Sequence, residues 1–514
     1  MARWLWVGLF VSAFLPSAWL AASALQGATD ATWGEVFYRP FLRALAQSGR
    51  QVLWVSLLGF ALGWPYGVVS GLFRYPFKRL CLALLLLPLV MPPFLWAIGL
   101  QGLKPFVSFA RQSWLDGFSG CVLSYSTQVF PLVALAAMAQ ASLITASERE
   151  AALVGGGIRH LLRQCLRATW PSAAAAAVVG GVLTLSDPGC GQITGSHGVA
   201  SVILTALSAR NDFAVASLKA LSAGLLVLPA VAFAAIVLAR KLHGPAVRVD
   251  FGRTADIQPG SRWAACWTGL GMLTAAGMFL LPAFAGLVRP LAGLGRGHFL
   301  RQAGQVMLES AAPTAWYGVG AALTAVLLGL VIAAGVGHSR LRFRLVFALG
   351  LGFLALPSAL HALGVVSATA AMPAPVAALL RSEIAVGAAI GWRFVPLAAI
   401  LLALAWRRLS RSMLDARRVH AVPAGRFLLV VALPVLWRPV IGVFVLVALL
   451  ALADVSTTML LQPPGASSYG TRLFAVMDNS PEKLVAALCL GQAALPLLAV
   501  AVHSVLAILI PRRT

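Results

Sequence analysis

The chain is poor in charged residues, and in acidic residues above all. Its 514 residues include 15 aspartates and glutamates against 39 lysines and arginines, and charged types make up only 11% of the sequence. Hydrophobic types make up 60%, and the mean hydropathy is +0.88. A soluble protein of this composition would need a larger core than a single domain builds. The composition therefore excludes an ordinary soluble protein and indicates an integral membrane protein.

Sequence motifs for catalysis and for metal binding are also lacking. The six cysteines are scattered without a CxxC pair, so they predict neither a disulfide framework nor a metal site. The sequence contains no nucleotide-binding P-loop, no GxSxG, no HExxH and no pair of carboxylates within one apolar run. We therefore expect no catalytic residues, no metal and no cofactor.

What the sequence has instead is a series of long apolar runs. A helix needs about 20 apolar residues to cross the hydrocarbon core of a membrane, and runs of that length recur along the whole chain. They predict an all-α membrane protein with about twelve transmembrane helices. The predicted spans are residues 5–25, 50–73, 80–102, 121–143, 173–187, 213–239, 263–285, 311–338, 345–367, 385–406, 438–461 and 484–510.

The basic residues lie in clusters between these runs, and their placement predicts the orientation in the membrane. With the N-terminus in the cytoplasm, the clusters around Arg74, Arg163, Arg340 and Arg417 all fall on the cytoplasmic side, as the positive-inside rule requires. Both termini are then cytoplasmic, and the expected location is the inner (cytoplasmic) membrane. No cluster adjoins a soluble domain, so membrane lipid is an expected partner and nucleic acid is not.

The first apolar run has two interpretations. Arg3 and the run after it resemble a signal peptide, and Ala22-Ser23-Ala24 resembles a cleavage site. The run is longer than the apolar region of a usual signal peptide, however, and the predicted orientation needs this helix. We therefore expect a retained first span.

The sequence repeats itself at an offset of about 266 residues. The stretch from Pro92 to Gly99 aligns with the stretch from Pro357 to Gly364. This repeat predicts two homologous six-helix halves, residues 1–240 and 263–514. The polar stretch 241–262 between them is predicted to be a cytoplasmic linker.

Each half also contains one long cytoplasmic loop of the same design, at about residues 144–172 and about residues 410–438. Each loop has an acidic start, a turn of small residues, an arginine-bearing amphipathic stretch, a proline and then an apolar helix. The interval from Glu148 to Asp187 equals the interval from Asp415 to Asp454. Basic clusters alone would indicate simple anchors at the lipid headgroups. The matched spacing favours a pair of surface helices that another protein binds.

With these two loops the sequence resembles the fused permease subunits of binding-protein-dependent ABC importers. Their cytoplasmic loops read E-A-A, three residues, glycine, nine residues, then I-x-L-P. The resemblance covers nearly the whole chain. It implies that the loops couple the permease to two cytoplasmic ATPase subunits, and that one periplasmic or lipid-anchored binding protein delivers the cargo. ATP hydrolysis is then expected on a separate chain, so this chain is not expected to be an enzyme.

The resemblance implies which residues take part in coupling. In the second loop Asp415-Ala416-Arg417 stands in place of E-A-A, Ala421 in place of the glycine, and Leu433-Pro434 in place of L-P, while Gly425 is a second candidate for the turn. The first loop has two registers. One begins with Glu150-Ala151-Ala152 and reaches Gly156, next to Gly157; the other begins with Glu148 and puts Arg167 where proline is expected.

Three further residues are candidates for the translocation pathway. His361 lies within a predicted span, where it is either functional or a neutral cap at a helix break. Asp187 and Asp454 lie where spans end, and they either flank the pathway or cap the break. Apart from His361 we expect no ionisable residue near the middle of a span, which disfavours an ion-coupled secondary transporter. A membrane-embedded enzyme has no supporting set of residues.

One external segment bears on the cargo. The stretch Leu460-Leu461-Gln462-Pro463-Pro464-Gly465 resembles a segment of the ferric-iron branch of fused permeases. Ferric iron is therefore the expected cargo. Importers of thiamine, phosphonates or polyamines would share most of the other features, so these cargoes stay open as alternatives.

Overall fold

The computed structural model describes residues 4–27, 29–106, 114–208, 212–241, 261–293, 296–407, 409–477 and 479–509. These residues are helical almost throughout, and no strand forms among them. The first helices are α1 (Leu5–Ser12), α2 (Leu15–Gln26), α3 (Asp30–Val36), α4 (Arg39–Leu72), α5 (Lys78–Leu86), α6 (Pro93–Gln101), α7 (Gly117–Ala141), α8 (Ala146–Leu183), α9 (Gly189–Thr194), α10 (Val199–Ser208) and α11 (Phe213–Lys241). The predicted linker 241–262 lies almost wholly outside the described residues.

The remaining helices follow the predicted linker. They are α12 (Arg262–Gly277), α13 (Leu280–Val288), α14 (Arg296–Glu309), α15 (Ala311–Val336), α16 (Arg340–Leu354), α17 (Ser358–Ala370), α18 (Ala374–Leu380), α19 (Glu383–Trp406), α20 (Arg411–Val419), α21 (Ala424–Phe427), α22 (Leu433–Ala453), α23 (Val455–Leu461), α24 (Tyr469–Val476) and α25 (Glu482–Leu509). One turn of π-helix, Leu428–Ala432, joins α21 to α22.

The helices confirm the prediction of an all-α protein embedded in a membrane. Among the described residues, 7 helices are long and apolar enough to cross a membrane, and the number rises to 11 if each of four bent pairs is one span. The predicted last span corresponds to α25, of which only the side chains up to residue 498 are described. The predicted total of twelve therefore stays a prediction.

The predicted spans 5–25, 80–102, 263–285 and 345–367 are not straight helices. Each is a pair of helices, bent by 53°, 103°, 57° and 87° respectively. The two sharpest bends lie at Pro92-Pro93 and at Pro357-Ser358, the positions that the repeat aligns. Proline has no N–H to continue a helix and disfavours helical backbone in the residue before it. The aligned prolines therefore end one helix and begin the next.

The helices form two sets, α1–α11 before the predicted linker and α12–α25 after it. The first two helices of each set pack against helices of the other set. Helix α1 packs on α15 and α2 packs on α17, while α12 packs on α5 and α13 packs on α6. At two crossings the backbones are so close that a Cβ would not fit: Gly364 against Pro16, and Gly99 against Ala283. The absence of a side chain on these glycines is what allows the approach.

Two predicted spans need further correction. The span predicted at 173–187 is the end of a much longer helix, because α8 runs through Pro171 up to Leu183. Within the predicted span 213–239, Lys219 is buried and its ammonium lies 3.5 Å from the Glu35 carboxylate. The predicted spans therefore do contain ionisable residues besides His361.

Candidate functional site

The first surface helix, residues 146–155, is the start of α8 and has a well-formed N-terminal cap. The Thr145 hydroxyl accepts a hydrogen bond from the Glu148 N–H at 3.4 Å, and the Glu148 carboxylate accepts one from the Thr145 N–H at 2.9 Å. This reciprocal pair satisfies backbone donors that the first turn leaves free. The helical path is interrupted at Gly156 and at Gly157, which has φ 66° and ψ −162°. That backbone conformation is essentially restricted to glycine, so the predicted turn in the first loop is present.

One side of this surface helix is attached to the protein and the other is exposed. The Arg149 guanidinium is buried and donates to the Ile144 carbonyl at 2.9 and 3.1 Å, and Ala152 packs against α4 and the rest of α8. Glu150 and Ala151 are exposed, and the Val154 side chain is 90% exposed. The Val154 side chain therefore makes little contact with the described part of the chain.

The second surface helix, α20, is built in a similar way. The Ser410 hydroxyl accepts from the Met413 N–H at 3.3 Å, and the helix has no buried residue. Asp415 and Ala416 are exposed, and the Asp415 carboxylate lies 3.1 Å from the Arg418 guanidinium.

The turn after this helix lies at Ala421, which has φ 50°. This is the left-handed region that favours glycine, so alanine occupies a glycine-type position. Gly425 lies inside helix α21 and does not form the turn.

The two loops differ in how they continue into the membrane. The π-helical turn Leu428–Ala432 precedes Leu433-Pro434, which are the first residues of α22. A wider turn accommodates a proline ring that would otherwise clash with the carbonyl four residues earlier. In the first loop, Arg167 and Pro171 lie within the unbroken end of α8.

Asp187 and Asp454 have matching positions at two helix breaks. The Asp187 carboxylate accepts hydrogen bonds from the N–H groups of Gly189 at 3.3 Å and Cys190 at 3.0 Å. The Asp454 carboxylate accepts one from the Thr457 N–H at 3.2 Å. Both residues therefore cap the short helix that follows, which is one of the two roles predicted for them.

The same two aspartates also line one cavity. It is open, and the empty space in it together with the solvent at its mouth is about 830 Å³. The two breaks touch there, because the Ser456 hydroxyl donates to the Ser186 carbonyl at 3.0 Å. The side chains in the wall include Met91, Phe94, Gln128, Ser186, Asp187, Arg393, Phe394, Asp454, Ser456, Met459 and Phe474. Capping a break and facing a cavity are thus compatible roles.

Arg393 is the residue that sequence reasoning missed. It lies in the middle of α19, its side chain is 9% exposed, and its guanidinium forms an ion pair with the Asp454 carboxylate. The Thr457 hydroxyl also donates to that carboxylate, at 2.7 Å. The expectation that His361 is the only ionisable residue near mid-span is therefore wrong. A lone arginine within an apolar run was the signal available in the sequence.

The counterpart of Arg393 in the first set of helices is Gln128. The segment Gln128-Val129-Phe130-Pro131-Leu132 aligns with Arg393-Phe394-Val395-Pro396-Leu397 at the repeat offset. Gln128 faces the same cavity, but its amide donates to the carbonyls of Pro88 at 3.2 Å and Met91 at 2.8 Å. The repeat therefore places an arginine beside one aspartate and an amide near the other.

His361 is buried outside this cavity. Its Nε2 lies 3.0 Å from the Ala389 carbonyl, and its ring stands edge-on to Phe353 at 6.1 Å between centroids. The histidine is in the first turn of α17, yet its hydrogen bond crosses to α19 rather than capping the break. The structure thus brings Asp187 and Asp454 to one cavity, while His361 lies outside its lining but close enough to Arg393 and Asp454 to interact electrostatically with both.

The segment Leu460–Gly465, predicted to be external, comprises the last two residues of α23 and the turn that follows them. Gly465 has φ 87°, and the next carbonyl, of Ala466, accepts a hydrogen bond from the Tyr317 hydroxyl at 2.7 Å. The Gln462 side chain accepts from the Thr471 hydroxyl at 2.9 Å. These contacts give the segment a structural role and supply no ligand for a cargo.

Neither a metal site in the described part of the chain nor a known relative identifies this site. Among the described residues, no group of three or more His, Cys, Asp or Glu side chains lies close enough together to hold a metal ion. No protein-family model, no curated protein sequence and no solved structure matches the chain.

Proposed function

We propose that this chain is the permease of an ABC-type importer. The observation that carries the proposal is the pair of surface helices, residues 146–155 and α20. Each is capped at its N-terminus, each ends at a turn with glycine-type backbone, and each leads into a membrane helix. Their exposed faces carry Val154, 90% exposed, and Val419, 80% exposed. Such faces suit a docking site for a partner on the same side of the membrane.

The packing supports two homologous six-helix halves. The exchange of α1 and α2 for α12 and α13 is reciprocal, and two of its close crossings, Gly364 with Pro16 and Gly99 with Ala283, are related by the repeat offset. The tightest pairings, α4 with α7 and α15 with α19, are related in the same way. Two halves that interlock like this would move as rigid bodies about the cavity between the breaks.

The proposed mechanism follows from these parts. Two cytoplasmic ATPase subunits bind the two surface helices, and closure of the ATPases on ATP rocks the halves between inward-open and outward-open states. The breaks at Asp187 and Asp454 lie where the halves meet, so they form the wall of the pathway. Both termini are cytoplasmic in this arrangement, the membrane is the inner membrane, and one periplasmic or lipid-anchored binding protein delivers the cargo.

The proposed cargo is ferric iron, on the resemblance of Leu460–Gly465 to the ferric-iron branch. Thiamine, phosphonates and polyamines remain the alternatives within the same class. Uptake of radiolabelled ferric iron by cells with and without this chain tests the cargo. Unchanged iron uptake, together with loss of uptake of an alternative cargo, would reassign the substrate and keep the mechanism.

Docking of the ATPases is tested at Val154, whose side chain is almost free of contacts within the chain. Val154→Arg and Val419→Arg should abolish uptake and co-purification of the ATPase while leaving membrane insertion intact. Loss of one buried anchor weakens docking by about 2 kcal/mol or more, or roughly 30-fold. Val154→Thr keeps the shape of the side chain and is the control. If both arginine variants bind the ATPase and transport normally, the surface helices are only lipid anchors.

An ion-coupled secondary transporter is the second candidate. The buried Arg393–Asp454 pair at a helix break is a feature that such transporters use, and it weakens the sequence-based argument against them. The energy source separates the two functions. Uptake that stops on ATP depletion and persists with a protonophore supports the importer, whereas the reverse result supports the secondary transporter.

A further inference from the structure

The cavity between the two helix breaks is asymmetric in charge. The repeat gives each of its two sides a helix break with an aspartate, but the partners of the two aspartates differ. On one side, the Asp454 carboxylate is neutralised by the Arg393 guanidinium. On the other side, the Asp187 carboxylate accepts hydrogen bonds from the N–H groups of Gly189 and Cys190, and the neutral side chains of Cys190 and Tyr125 lie beside it. Among the described residues, none forms an ion pair with Asp187.

The cause of the asymmetry is a single substitution within the repeat. Gln128 stands where the other half has Arg393, and its amide is directed to the carbonyls of Pro88 and Met91. The remaining polar groups in the wall, Ser186 and Ser456, are neutral hydroxyls. Counting Asp187, Arg393 and Asp454, the cavity carries one more negative charge than positive when the carboxylates are ionised.

Burial of the Asp187 carboxyl disfavours its charged form, and a cation bound in the cavity would offset that cost. Two N–H donors stabilise the carboxylate, and the cavity it faces is open. A carboxylate in a membrane protein that faces a cavity without a counter-ion attracts a cation. The rest of the wall includes the aromatic rings of Phe94 and Phe474, and that of Phe394, over which the Arg393 guanidinium already lies.

We propose that this cavity binds cationic cargo, with Asp187 as its counter-ion. The inference rests on the proposed permease function and names the charge of its substrate. A cationic cargo is compatible with ferric iron, thiamine and polyamines, and it excludes phosphonates because these are anions. Arg393 serves as the internal counter-ion of Asp454 and leaves Asp187 free for the cargo.

The charge preference can be measured without knowing the cargo. Met459 lies in the cavity wall and is 38% exposed, so Met459→Cys gives a reporter thiol, and Cys266→Ser removes an exposed native thiol. Two small thiol reagents of opposite charge, the trimethylammonium-ethyl and sulfonato-ethyl methanethiosulfonates, are applied to the purified full chain. Each rate is divided by the rate of that reagent with a free thiol in solution.

We expect the normalised rate of the cationic reagent to exceed that of the anionic reagent by about tenfold. Asp187→Asn should bring the ratio close to one, because asparagine keeps an oxygen for one of the two N–H donors but carries no charge. Gln128→Arg should do the same by supplying the missing counter-ion. A ratio at or below one, a ratio that neither variant changes, or no modification by either reagent overturns the proposal.

Transport gives an independent measure. In cells with the ATPase and the binding protein, Asp187→Asn should reduce uptake of ferric iron, thiamine or spermidine, whichever the wild type takes up, by tenfold or more. Uptake of methylphosphonate by the wild type would overturn the cation proposal and leave the permease proposal standing. If the thiol ratio is as expected but uptake does not depend on ATP, the permease proposal fails and the cation site remains.

Discussion

At the scale of single residues, the ion pair between Arg393 and Asp454 buries two opposite charges, each of which depends on the other for compensation. Both side chains are 9% exposed, and removing one partner of a buried pair leaves a charge without compensation. Arg393→Met should therefore lower the free energy of unfolding by about 3–5 kcal/mol. Thermal or SDS-induced unfolding of the protein in detergent measures this loss.

The double variant Arg393→Met/Asp454→Asn is the control for that prediction. It buries no charge, and asparagine retains the hydrogen bond to the Thr457 N–H. It should be clearly more stable than Arg393→Met alone. If the single and double variants unfold alike, the lost stability comes from packing of the arginine stem and not from charge.

The residues that matter most were only partly predictable from the sequence. Asp187 and Asp454 stood out because each follows an apolar run at the same distance from an acidic loop start. Their proximity across the cavity was not predictable, because it depends on how two helix breaks meet in space. Arg393 was present in the sequence as an arginine within an apolar run, but its partner lies on another helix. Ala421 has a left-handed backbone conformation, which an alanine in a sequence does not predict because that conformation favours glycine.

At the scale of elements, the glycines after the first surface helix differ in what they contribute. Gly157 has φ 66° and ψ −162°, and nothing lies within 4 Å of the position a Cβ would take. Gly157→Ala therefore meets no steric neighbour and acts through the backbone alone. It should destabilise the turn by about 1–3 kcal/mol and reduce ATP-dependent uptake. Limited proteolysis at the loop and uptake assays measure the two effects.

Gly155→Ala is the matched control for Gly157→Ala, because Gly155 is helical and its Cβ position is equally open. Alanine is the better helix former by about 1 kcal/mol, so this variant should leave the loop intact or make it more resistant. Equal loss of uptake in both variants would mean that the loop is sensitive to any added side chain, and the turn geometry would not be the cause.

The spans show why element boundaries were easier to predict than element shape. The apolar runs located α7, α15 and α19 to within a few residues, because length and hydropathy decide whether a helix crosses a membrane. The bends at Pro92-Pro93 and Pro357-Ser358 were not among the predicted features. A proline alone does not signal such a bend, because the prolines inside α7 and α19 leave those helices continuous. Neighbouring helices supply the contacts that decide whether a proline bends or breaks a membrane helix.

At the scale of the whole molecule, the sequence did not predict that the first two helices of each set pack against the other set. The repeat indicated two similar sets of helices, but it did not indicate which set α1 and α2 pack against. The contact between Gly364 and Pro16 and its counterpart at Gly99 and Ala283 bring the two sets together. The cavity with Asp187 and Asp454 lies at the same junction, so its chemistry depends on this packing.

The orientation of the molecule in the membrane is the last prediction. The basic clusters predict that the surface helices lie in the cytoplasm and that the segments after α9 and α23 lie outside. Single cysteines at His197 and Pro464, both exposed, should react with a membrane-impermeant maleimide in intact cells, in a background with Cys266→Ser. Cysteines at Arg163 and Arg418, also exposed, should react only after the membrane is permeabilised. The permeabilised sample is the control, because all four sites must react there. Reaction at Arg163 or Arg418 in intact cells would put the surface helices outside, where no ATPase can reach them, and would refute the proposed function.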